Sequence, residues 1–380
     1  MSVSIPFNTP YMTGRELEYI AQAHRNRHLA GDGEFTRKCH EWLEERTGSA
    51  KALLTHSCTA ALEMTAILAN VGPGDEIIMP SYTFVSTANA FVLRGATPVF
   101  VDIRPDTLNI DETKLESAIS DRTRAIVAVH YAGVACELNA IAAIARRHNL
   151  LLIEDAAQAL ASTYKNRPLG SVGHLGCLSF HETKNVISGE GGALLVNDPA
   201  FVLRSEIIRE KGTNRTQFFR GEVSKYTWMD IGSSFLPSDI VAAFLWAQLE
   251  HADKILSARL AAWDTYHRSF GELESEGLLR RPVIPSYCQH NAHMYYILLP
   301  PRVPRAEFIE QLRERGVNAV FHYVPLHDSP AGRKYSRQPG SLPVTEDVAA
   351  RLVRLPLWIG VDVPKVVKAV EAALSSMRAR

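Results

Sequence analysis

The chain has 380 residues, of which 46% are hydrophobic and 22% are charged. This composition is typical of a globular protein with a sizeable core, and the length is sufficient for two domains. Lysine plus arginine and aspartate plus glutamate number 41 each. The lack of a basic excess argues against nucleic acid as the main partner, and a net charge near zero is compatible with self-association.

The five cysteines indicate a reducing compartment. They are odd in number, widely spread and without a CxxC pair, which is typical of free thiols rather than of a disulfide framework or a zinc site. Segment 1–6 has no charged region followed by an apolar stretch, so no secretion signal is predicted. No apolar run approaches membrane-spanning length. We therefore expect a soluble, cytoplasmic protein without a membrane partner.

Two helices are predicted before the first strand. Thr13-Gly14-Arg15-Glu16 is a capping-box pattern, which predicts a helix that runs towards Leu29. A second helix follows and ends at Gly48. Short apolar runs then alternate with amphipathic ones, and we predict strands at 52–54, 76–79, 98–101, 125–129 and 150–153 and helices at 59–70, 86–94, 111–119 and 138–149. This alternation predicts an α/β fold: a mostly parallel sheet flanked by helices, with ligands at the carboxyl ends of the strands.

The remainder of the chain predicts a second, smaller domain. One long helix is expected over 238–270, followed by a strand at 294–299, a helix at 305–315, a strand at 319–324 and a terminal helix at 364–377. We therefore expect residues 1–250 to form a large α/β domain that carries the N-terminal helices. Residues 251–380 are expected to form the linking helix and a small C-terminal α+β domain.

Lys184 is the first candidate catalytic residue. Most lysines are solvated surface charges, but this one follows the apolar segment 176–180 and precedes the glycine-rich segment 188–192. A lysine that leaves a buried strand in this way is partly desolvated, which lowers its pKa and frees its lone pair. Such an amine can condense with an aldehyde cofactor.

Asp155 is the second candidate, at the end of the apolar run that begins at Leu151. A carboxylate in a low-dielectric site can keep a pyridine nitrogen protonated, which makes the ring an electron sink. Gln158 follows closely and can donate a hydrogen bond to the hydroxyl side of such a ring. The alternative is that Asp155 only caps the next helix. Together, Lys184 and Asp155 predict pyridoxal 5'-phosphate as the cofactor.

A phosphate site is predicted where the first strand meets the helix that follows it. Ser57, Cys58 and Thr59 lie at this junction, where backbone N–H groups, the helix dipole and hydroxyl groups attract an anion. Ser179 is a further hydroxyl donor. The alternative is that Ser57 is an ordinary N-cap of the helix.

Phe84 follows the second predicted strand and can stack on a flat heterocycle; the alternative is a phenylalanine of the core. Two other patterns are discounted. His322 and His327 have no carboxylate at ligand spacing, so no metal site is predicted. Segment 189–192 is not a GxGxxG fingerprint after a strand, so a dinucleotide site is poorly supported.

In this order, the motifs resemble those of the DegT/DnrJ/EryC1/StrS family of nucleotide-sugar aminotransferases, which have the fold of type I pyridoxal phosphate enzymes. The resemblance covers essentially the whole chain. The matching motifs are Ser57-Cys58-Thr59-Ala60-Ala61-Leu62, Pro80-Ser81-Tyr82-Thr83-Phe84, Glu154-Asp155-Ala156-Ala157-Gln158, Ser179-Phe180 with Thr183-Lys184-Asn185, Gly189-Glu190-Gly191-Gly192, and His322-Tyr323 with Pro325-Leu326-His327.

The resemblance implies a role for each site residue. Lys184 carries the cofactor, Asp155 pairs with its pyridine nitrogen, and Phe84 stacks on its ring with Gln158 alongside. The residues implied at the phosphate are Cys58, Thr59 and Ser179, and those implied at the substrate include His322 and Tyr323.

The resemblance further implies a homodimer with its active sites at the subunit interface. Many members of the family carry an asparagine, in a Gly-x-Asn-Tyr-Arg motif, that reaches the phosphate of the neighbouring subunit. The matching stretch here is Gly232-Ser233-Ser234-Phe235-Leu236. Ser234 therefore replaces that asparagine in part.

Within the family, further stretches resemble the enterobacterial dTDP-4-amino-4,6-dideoxygalactose transaminases. They are segments 179–185, 210–215, 217–221, 225–228 and 231–234. The resemblance implies transfer of an amino group from L-glutamate to C4 of dTDP-4-dehydro-6-deoxyglucose, for a surface polysaccharide. Arg215 and Arg220 are the candidates for diphosphate contacts; the alternative is an exposed loop with solvated charges.

Three other classes of function are less well supported by the sequence. Sugar dehydratases that resemble this chain carry histidine where Lys184 stands, and a nicotinamide enzyme would show a glycine fingerprint after the first strand. A non-catalytic regulator would not need Lys184, Asp155 and Phe84 together. Transamination of another nucleotide-linked keto sugar stays open.

Overall fold

The computed structural model describes residues 4–378. Residues 1–3, part of the segment in which no secretion signal is predicted, lie outside the described residues. The strands are β1 Lys51–Thr55, β2 Glu76–Pro80, β3 Thr97–Val101, β4 Thr123–Val129, β5 Leu151–Asp155, β6 Thr163–Tyr164, β7 Arg167–Pro168, β8 Leu175–Ser179, β9 Gly192–Val196, β10 Cys288–Gln289, β11 Tyr295–Leu298 and β12 Leu352–Leu355.

The helices alternate with these strands in the first half of the chain and dominate the second half. They are α1 Glu16–Asn26, α2 Glu34–Thr47, α3 Cys58–Leu68, α4 Val85–Val92, α5 Leu115–Ala118, α6 Leu138–Arg147, α7 Val202–Arg209, α8 Arg215–Phe219, α9 Asp239–Leu249, α10 Ala252–Ser269, α11 Gly271–Ser275, α12 Arg305–Glu314, α13 Pro330–Tyr335, α14 Pro343–Arg351 and α15 Val363–Arg378.

A central seven-stranded sheet has the order β1-β9-β8-β5-β4-β2-β3. Neighbouring strands from β8 to β3 are parallel, whereas β9 is antiparallel to both β8 and β1. Gly192, at the start of β9, pairs with Thr55 and with Ser179. The carboxyl ends of β1, β5 and β8 therefore lie at one edge of the sheet. The predicted α/β fold with a mostly parallel sheet is confirmed.

The two faces of this sheet are buried in two different core layers. Leu54, Ile78 and Leu152 belong to the layer that includes side chains of α1, α2, α6 and α9. Their neighbours Leu53 and Ile153 belong to the layer that includes α3 and α4. Because successive side chains of a strand point to opposite faces, a sheet covered on both faces requires continuous apolar strands. Continuous apolar runs in the sequence therefore predicted strands of this sheet.

A third core cluster lies in the C-terminal part of the chain. It combines side chains of α10, the antiparallel pair β11 and β12, α12 and α15. Ile5 joins this cluster, and its backbone pairs with Val317. The N-terminal segment thus packs with the C-terminal part, although the division at residue 250 stays a prediction.

The predicted helix over 238–270 is wrong, because the chain forms α9 and α10 with a break at Glu250 and His251. The His251 Nδ1–H donates to the O of Ala247 at 3.0 Å, so it satisfies one of the carbonyls that the end of α9 leaves free. The Tyr19 hydroxyl donates to Glu250 at 2.6 Å. Neither glycine nor proline marks the break, so the helical pattern continues across it.

The first helix and its cap differ in detail from the expectation. The helix α1 ends at Asn26 rather than near Leu29. The N–H groups of Thr13 and Gly14 donate to the Glu16 carboxylate at 2.7 and 3.0 Å. The Thr13 hydroxyl, however, accepts from the N–H of Arg15 rather than from Glu16. Only half of the predicted capping box forms.

The predicted strand over 319–324 is also wrong. Only Val320 forms a bridge there, with Arg354, and the backbone of Tyr323 is left-handed with φ 44°. A left-handed residue interrupts an extended strand. The partner of β11 is β12, which the sequence did not reveal. Among residues 4–378, no helix is long and apolar enough to cross a bilayer.

Candidate active site

A cavity of about 730 Å³ opens at the carboxyl edge of the central sheet. Its walls come from the loops that follow β1, β2, β5 and β8, and from segment 321–326 with Arg354 of β12. Most of the predicted site residues line it together: Cys58, Thr59, Phe84, Asp155, Gln158, Ser179, Lys184, His322 and Tyr323.

Lys184 lies in the turn between β8 and β9. The turn is held by backbone bonds, since the N–H of Lys184 donates to His181 O and that of Glu182 to Gly189 O, each at 2.8 Å. The side chain is half-buried in the cavity. None of the hydrogen bonds or ion pairs found within residues 4–378 involves its amine. Burial lowers the pKa of Lys184 despite the opposing charge of Asp155, so a larger share of this amine is neutral and nucleophilic.

Asp155 is buried at the end of β5. One carboxylate oxygen accepts from the Thr87 hydroxyl at 2.7 Å, and the other accepts from the N–H of Ala157 at 3.2 Å. No lysine, arginine or histidine among the described residues forms an ion pair with it. The alternative, that Asp155 caps a following helix, is excluded, because the next element after β5 is the strand β6. The carboxylate therefore faces the cavity with a negative charge that only neutral groups contact.

The start of α3 reaches the same cavity. The Ser57 hydroxyl accepts from the N–H of Ala60 at 3.1 Å, so Ser57 is the N-cap that the alternative interpretation expects. Cys58 and Thr59 nonetheless line the cavity. A Cβ on Gly192 would lie 2.4 Å from the N of Cys58. Only a glycine therefore lets β9 pass so close to the start of α3, and the cap by Ser57 leaves the predicted anion site open to test.

Another part of the cavity wall is aromatic. The side chain of Phe84 is 56% exposed, which excludes the alternative of a core phenylalanine. Its ring centroid lies 6.4 Å from that of Tyr323. The Gln158 amide donates to the Tyr323 hydroxyl at 3.0 Å and its oxygen accepts from the N–H of Ala132 at 2.7 Å, so its orientation is fixed.

His322 completes this wall and is held on two sides. Its Nδ1 lies 2.7 Å from the Tyr131 hydroxyl, and its backbone O accepts from the Tyr82 hydroxyl at 3.1 Å. Burial lowers the pKa of His322 well below its usual value, and the charges of Arg354 and Lys184 add to this effect. The ring is therefore neutral around pH 7.

These groups fit pyridoxal phosphate. The cavity offers an amine without a bonded partner, a buried carboxylate without a cation, a helix N-terminus with a hydroxyl beside it, and an exposed aromatic ring. They match the aldehyde, the ring nitrogen, the phosphate and the flat face of that molecule.

Three predicted residues lie elsewhere. Arg215, Arg220 and Ser234 line a second cavity of about 700 Å³. The guanidinium of Arg215 pairs with Glu210 and that of Arg220 with Glu206, each at 2.9 Å. In the single chain these three do not join the Lys184 cavity, and their roles stay predictions.

Sequence reasoning missed several lining residues, among them Thr87, His293 and Arg354. Thr87, in the first turn of α4, donates a hydrogen bond to Asp155. In the sequence, only its position near the start of that helix would have indicated a role at the site. The signal for Arg354 was stronger, because it is a lone cation in the apolar run from Leu352 to Leu357. Such an arginine is seldom buried without a partner.

Comparison with known proteins identifies the family. The model of the DegT/DnrJ/EryC1/StrS aminotransferase family matches residues 10–374. The chain belongs to this family. It is therefore a sugar aminotransferase that depends on pyridoxal phosphate, as the resemblance predicted.

Relatives and solved structures agree with this assignment. The chain is 31% identical over 377 residues to the spore coat polysaccharide biosynthesis protein SpsC of Bacillus subtilis, covering 96% of each. It is 31% identical over 372 residues to the GDP-perosamine synthase of Caulobacter vibrioides, covering 96% of this chain and 97% of that one. The crystal structure of the aminotransferase TlmJ from Streptoalloteichus hindustanus is 30% identical with a TM-score of 0.90, covering 98% of this chain and 99% of TlmJ. The aminotransferase PseC of Helicobacter pylori, from the biosynthesis of pseudoaminic acid, is 27% identical with a TM-score of 0.89 and the same coverage.

Proposed function

We propose that this sugar aminotransferase moves the amino group of L-glutamate to C4 of dTDP-4-dehydro-6-deoxyglucose. The product is dTDP-4-amino-4,6-dideoxygalactose, a precursor of a surface polysaccharide such as enterobacterial common antigen or O-antigen. The observation that carries the reaction type is the unpaired amine of Lys184 in one cavity with the buried carboxylate of Asp155. The choice of sugar rests on the resemblance of segments 179–185, 210–215, 217–221, 225–228 and 231–234 to the transaminases that make this product.

Lys184 and Asp155 have different roles in the proposed reaction. Pyridoxal phosphate supplies an aldehyde for the amines and a pyridine ring that accepts electron density. The Lys184 amine takes the α-proton of glutamate as a general base and delivers it as a general acid, a role typically worth about 10²–10⁴ in rate. Asp155 keeps a positive charge on the ring nitrogen, because its carboxylate is buried without another cation.

The other cavity residues bind and orient. We assign Cys58, Thr59 and Ser179 to the phosphate and Phe84 to the ring face, with Gln158 at the ring edge. The fixed orientation of Gln158, bonded on both sides of its amide, supports this role. His322 and Tyr323 are assigned to the sugar, since both line the cavity that contains Lys184.

The remaining contacts are proposed to come from a second subunit. Arg215 and Arg220 would bind the diphosphate, and Ser234 the phosphate of the partner's cofactor. Exposed aromatic side chains near them support a homodimer with its sites at the interface, since Phe219 is 70% and Trp228 80% exposed. Large exposed apolar groups of this kind are typical of interaction surfaces.

The decisive experiment identifies the product. The purified protein is incubated with pyridoxal phosphate, L-glutamate and dTDP-4-dehydro-6-deoxyglucose, and the nucleotide sugar is analysed by NMR. We expect an amino group at C4 with galacto configuration. A parallel incubation uses a GDP-linked keto sugar, because the likeness to a GDP-perosamine synthase favours that alternative substrate. Amination of the GDP sugar alone would overturn the proposal of a dTDP sugar.

Lys184→Ala tests the reaction type. We expect a folded protein that turns over neither substrate and lacks the visible absorption band of covalently attached cofactor, because Lys184 is the only lysine among the described residues that line the cavity. Lys254→Ala, at an exposed position of α10, is the matched control and should behave like the wild type. Full transaminase activity in Lys184→Ala would rule out the assignment.

A further inference from the structure

One histidine that lines the Lys184 cavity has no role in the mechanism above. His293 lies between β10 and β11 and is only 6% exposed. The buried guanidinium of Arg259, in α10, donates to Ala292 O at 3.1 Å and to His293 O at 2.7 Å. The backbone of Ala292 is left-handed with φ 50°, a conformation that a residue other than glycine keeps only where its surroundings hold it. This loop therefore presents His293 to the cavity in a fixed position.

Two segments of the cofactor site hold the same loop. The Asn291 amide, next to His293 in this loop, donates to the backbone O of Gln158 and of Leu160, each at 2.9 Å. In turn, the amide of Asn185 donates to Asn291 O at 2.7 Å. The loop is thus tied both to the segment after β5 and to the turn that carries Lys184.

These contacts determine which nitrogen of His293 carries a hydrogen. Because Asn185 donates its amide N–H to a carbonyl, the orientation of this amide is fixed and its Oδ1 is an acceptor. That oxygen lies 3.2 Å from the Nδ1 of His293. The Nδ1 must therefore carry the hydrogen and donate it. A neutral imidazole has a single N–H, so the Nε2 keeps a free lone pair.

The Nε2 is an acceptor without a partner in the chain. Burial lowers the pKa of His293 well below its usual value, and the charges of Lys184 and Arg354 add to this effect, so the ring is neutral around pH 7. None of the hydrogen bonds found within residues 4–378 involves this Nε2. It is also not one of the fully buried polar atoms that lack a partner, so it is accessible from the cavity. A ligand that supplies an N–H or O–H would satisfy it.

We propose that the Nε2 of His293 accepts a hydrogen bond from the C3 hydroxyl of the keto sugar, the hydroxyl next to the reacting carbonyl. This inference rests on the proposed function. In this role His293 is a specificity-determining residue. Its ring is too weak a base to hold a proton at neutral pH, so it recognises a neutral donor and does not act as a general base.

The chemistry of the two substrates favours this hydroxyl. The carboxylates of glutamate and the diphosphate of the nucleotide sugar are acceptors, which a nitrogen lone pair repels. The amine of glutamate has to reach the cofactor aldehyde. The Lys184 amine acts at C4 of the sugar, and its charge is close enough to act on His293. Of the two carbons next to C4, C3 bears a hydroxyl, whereas C5 bears the methyl group and the ring oxygen.

The test compares dTDP-4-dehydro-6-deoxyglucose with its 3-deoxy form, both with L-glutamate and the cofactor-loaded enzyme. For the wild type we expect kcat/KM to be about 10- to 100-fold lower with the 3-deoxy sugar, because a buried acceptor left without a donor has an effect of this order. The 2-deoxy sugar keeps the C3 hydroxyl and is the matched control. The affinity of the aminated product and of its 3-deoxy form, measured by calorimetry, should show the same preference.

Two variants separate the two nitrogens of the ring. His293→Asn keeps an N–H for Asn185 but has no acceptor at the position of Nε2, so it should lose the preference for the C3 hydroxyl to within about threefold. His293→Gln places its amide oxygen near that position and should retain part of the preference. His148→Asn, at an exposed position after α6, is the matched control and should behave like the wild type.

The half-reaction with L-glutamate alone separates recognition of the sugar from general damage. Its rate should change less than about threefold in both His293 variants, because the donor does not contact His293. Equal losses of kcat/KM for the hydroxylated and 3-deoxy sugars in His293→Asn would overturn the inference, and so would a wild type that does not distinguish these sugars. A preference that His293→Asn loses for the C2 hydroxyl instead would also overturn it.

This design keeps the two proposals distinguishable. Loss of the inference leaves amination of the dTDP sugar by the wild type intact. If the enzyme aminates only a GDP-linked keto sugar, the proposed dTDP sugar is wrong, and the same comparison with the 3-deoxy form of the GDP sugar decides the role of His293. A wild type that aminates neither sugar would overturn both the proposed function and this inference.

Discussion

Asp155 carries a charge that its protein neighbours do not balance. Thr87 and Ala157 donate to it as neutral groups. For Asp155→Asn we expect kcat to fall by about 10²-fold or more, because removing one preorganised electrostatic group typically has an effect of 10²–10³. The measurement is steady-state transamination with the cofactor content determined in parallel.

The amide variant keeps the size of the side chain, so folding should be preserved. Asp253→Asn is the matched control, because the Asp253 side chain is 75% exposed on α10. Wild-type kcat in Asp155→Asn would contradict the proposed role of Asp155 at the ring nitrogen.

Residues of the site were predictable where their neighbourhood was distinctive. Lys184 follows a buried strand and precedes glycines, and Asp155 ends an apolar run; both patterns are local. Arg354 was missed because the residues near it are distant in sequence: it contacts Phe7 and lines the same cavity as His322. A lone cation in an apolar run does not reveal which residues distant in sequence lie beside it.

Gly192 determines how closely β9 can approach α3. A methyl group there would lie 2.4 Å from the backbone of Ser57 and Cys58. For Gly192→Ala we therefore expect the start of α3 to shift, with a loss of cofactor affinity of at least tenfold and a lower midpoint of urea unfolding. Cofactor binding is measured by titration of the apoprotein.

The control for this change is Gly340→Ala, since an added methyl group at Gly340 meets no atom within 4 Å. Gly340 also does not appear among the glycines with positive φ. Unchanged cofactor affinity in Gly192→Ala would show that the helix start tolerates displacement.

Glu76, at the start of β2, joins elements that are distant in sequence. Its buried carboxylate accepts from Arg337 at 2.9 and 2.5 Å, from Ser120 at 2.7 Å and from Arg122 at 3.0 and 2.5 Å. The hydrogen bonds from Arg337, followed by those from Ser120 and Arg122, lower the pKa of Glu76 from 4.5 to about 2 despite burial. Because the pKa is lowered in the folded state, this stabilisation is complete above pH 4.5 and is lost as the pH falls towards 2.

We expect Glu76→Gln to lower the free energy of unfolding at pH 7 by about 3 kcal/mol, the value that corresponds to such a pKa shift. Urea unfolding at pH 7 and pH 3 measures it, and the difference between wild type and variant should shrink at pH 3. Glu310→Gln, at a 55% exposed site, is the control. A difference that does not depend on pH would exclude the carboxylate charge as its source.

Secondary structure was predictable where burial imposes a simple pattern. Five of the seven strands of the central sheet, β1 to β5, were predicted to within a few residues, because their side chains are apolar on both faces. The other two, β8 and β9, were not among the predicted strands, although segment 176–180 was recognised as apolar. The break between α9 and α10 was not predictable, because neither glycine nor proline marks it and the Tyr19 hydroxyl that donates to Glu250 there belongs to a helix distant in sequence. β12 directly follows α14 without a turn signal, which hid it.

At the scale of the whole molecule, the proposed dimer makes a measurable prediction. Phe218, Phe219, Tyr226 and Trp228 form an exposed aromatic surface around α8. We expect light scattering to give the mass of two chains for the wild type. Trp228→Ser should weaken association, because an apolar group of this size contributes strongly at interfaces.

Activity is measured at the same dilutions as mass. If sites lie at the interface, Trp228→Ser should lose activity as it dissociates, whereas Leu17→Ser, at an exposed leucine of α1, should retain both. A fully active monomer would exclude shared active sites. The domain division at residue 250 is likewise open to test by limited proteolysis.

The route of the N-terminal segment has a practical consequence for anyone who prepares this protein. Residues 4–8 lie against Gly316 and against the loop that carries Lys184. An affinity tag that displaced this segment would remove the hydrogen bond from Asn8 to that loop. Removable tags, or tags placed after α15, are therefore the better choice for kinetic work. Activity measured with an N-terminal tag and with a C-terminal tag would reveal how strongly segment 4–8 affects the reaction.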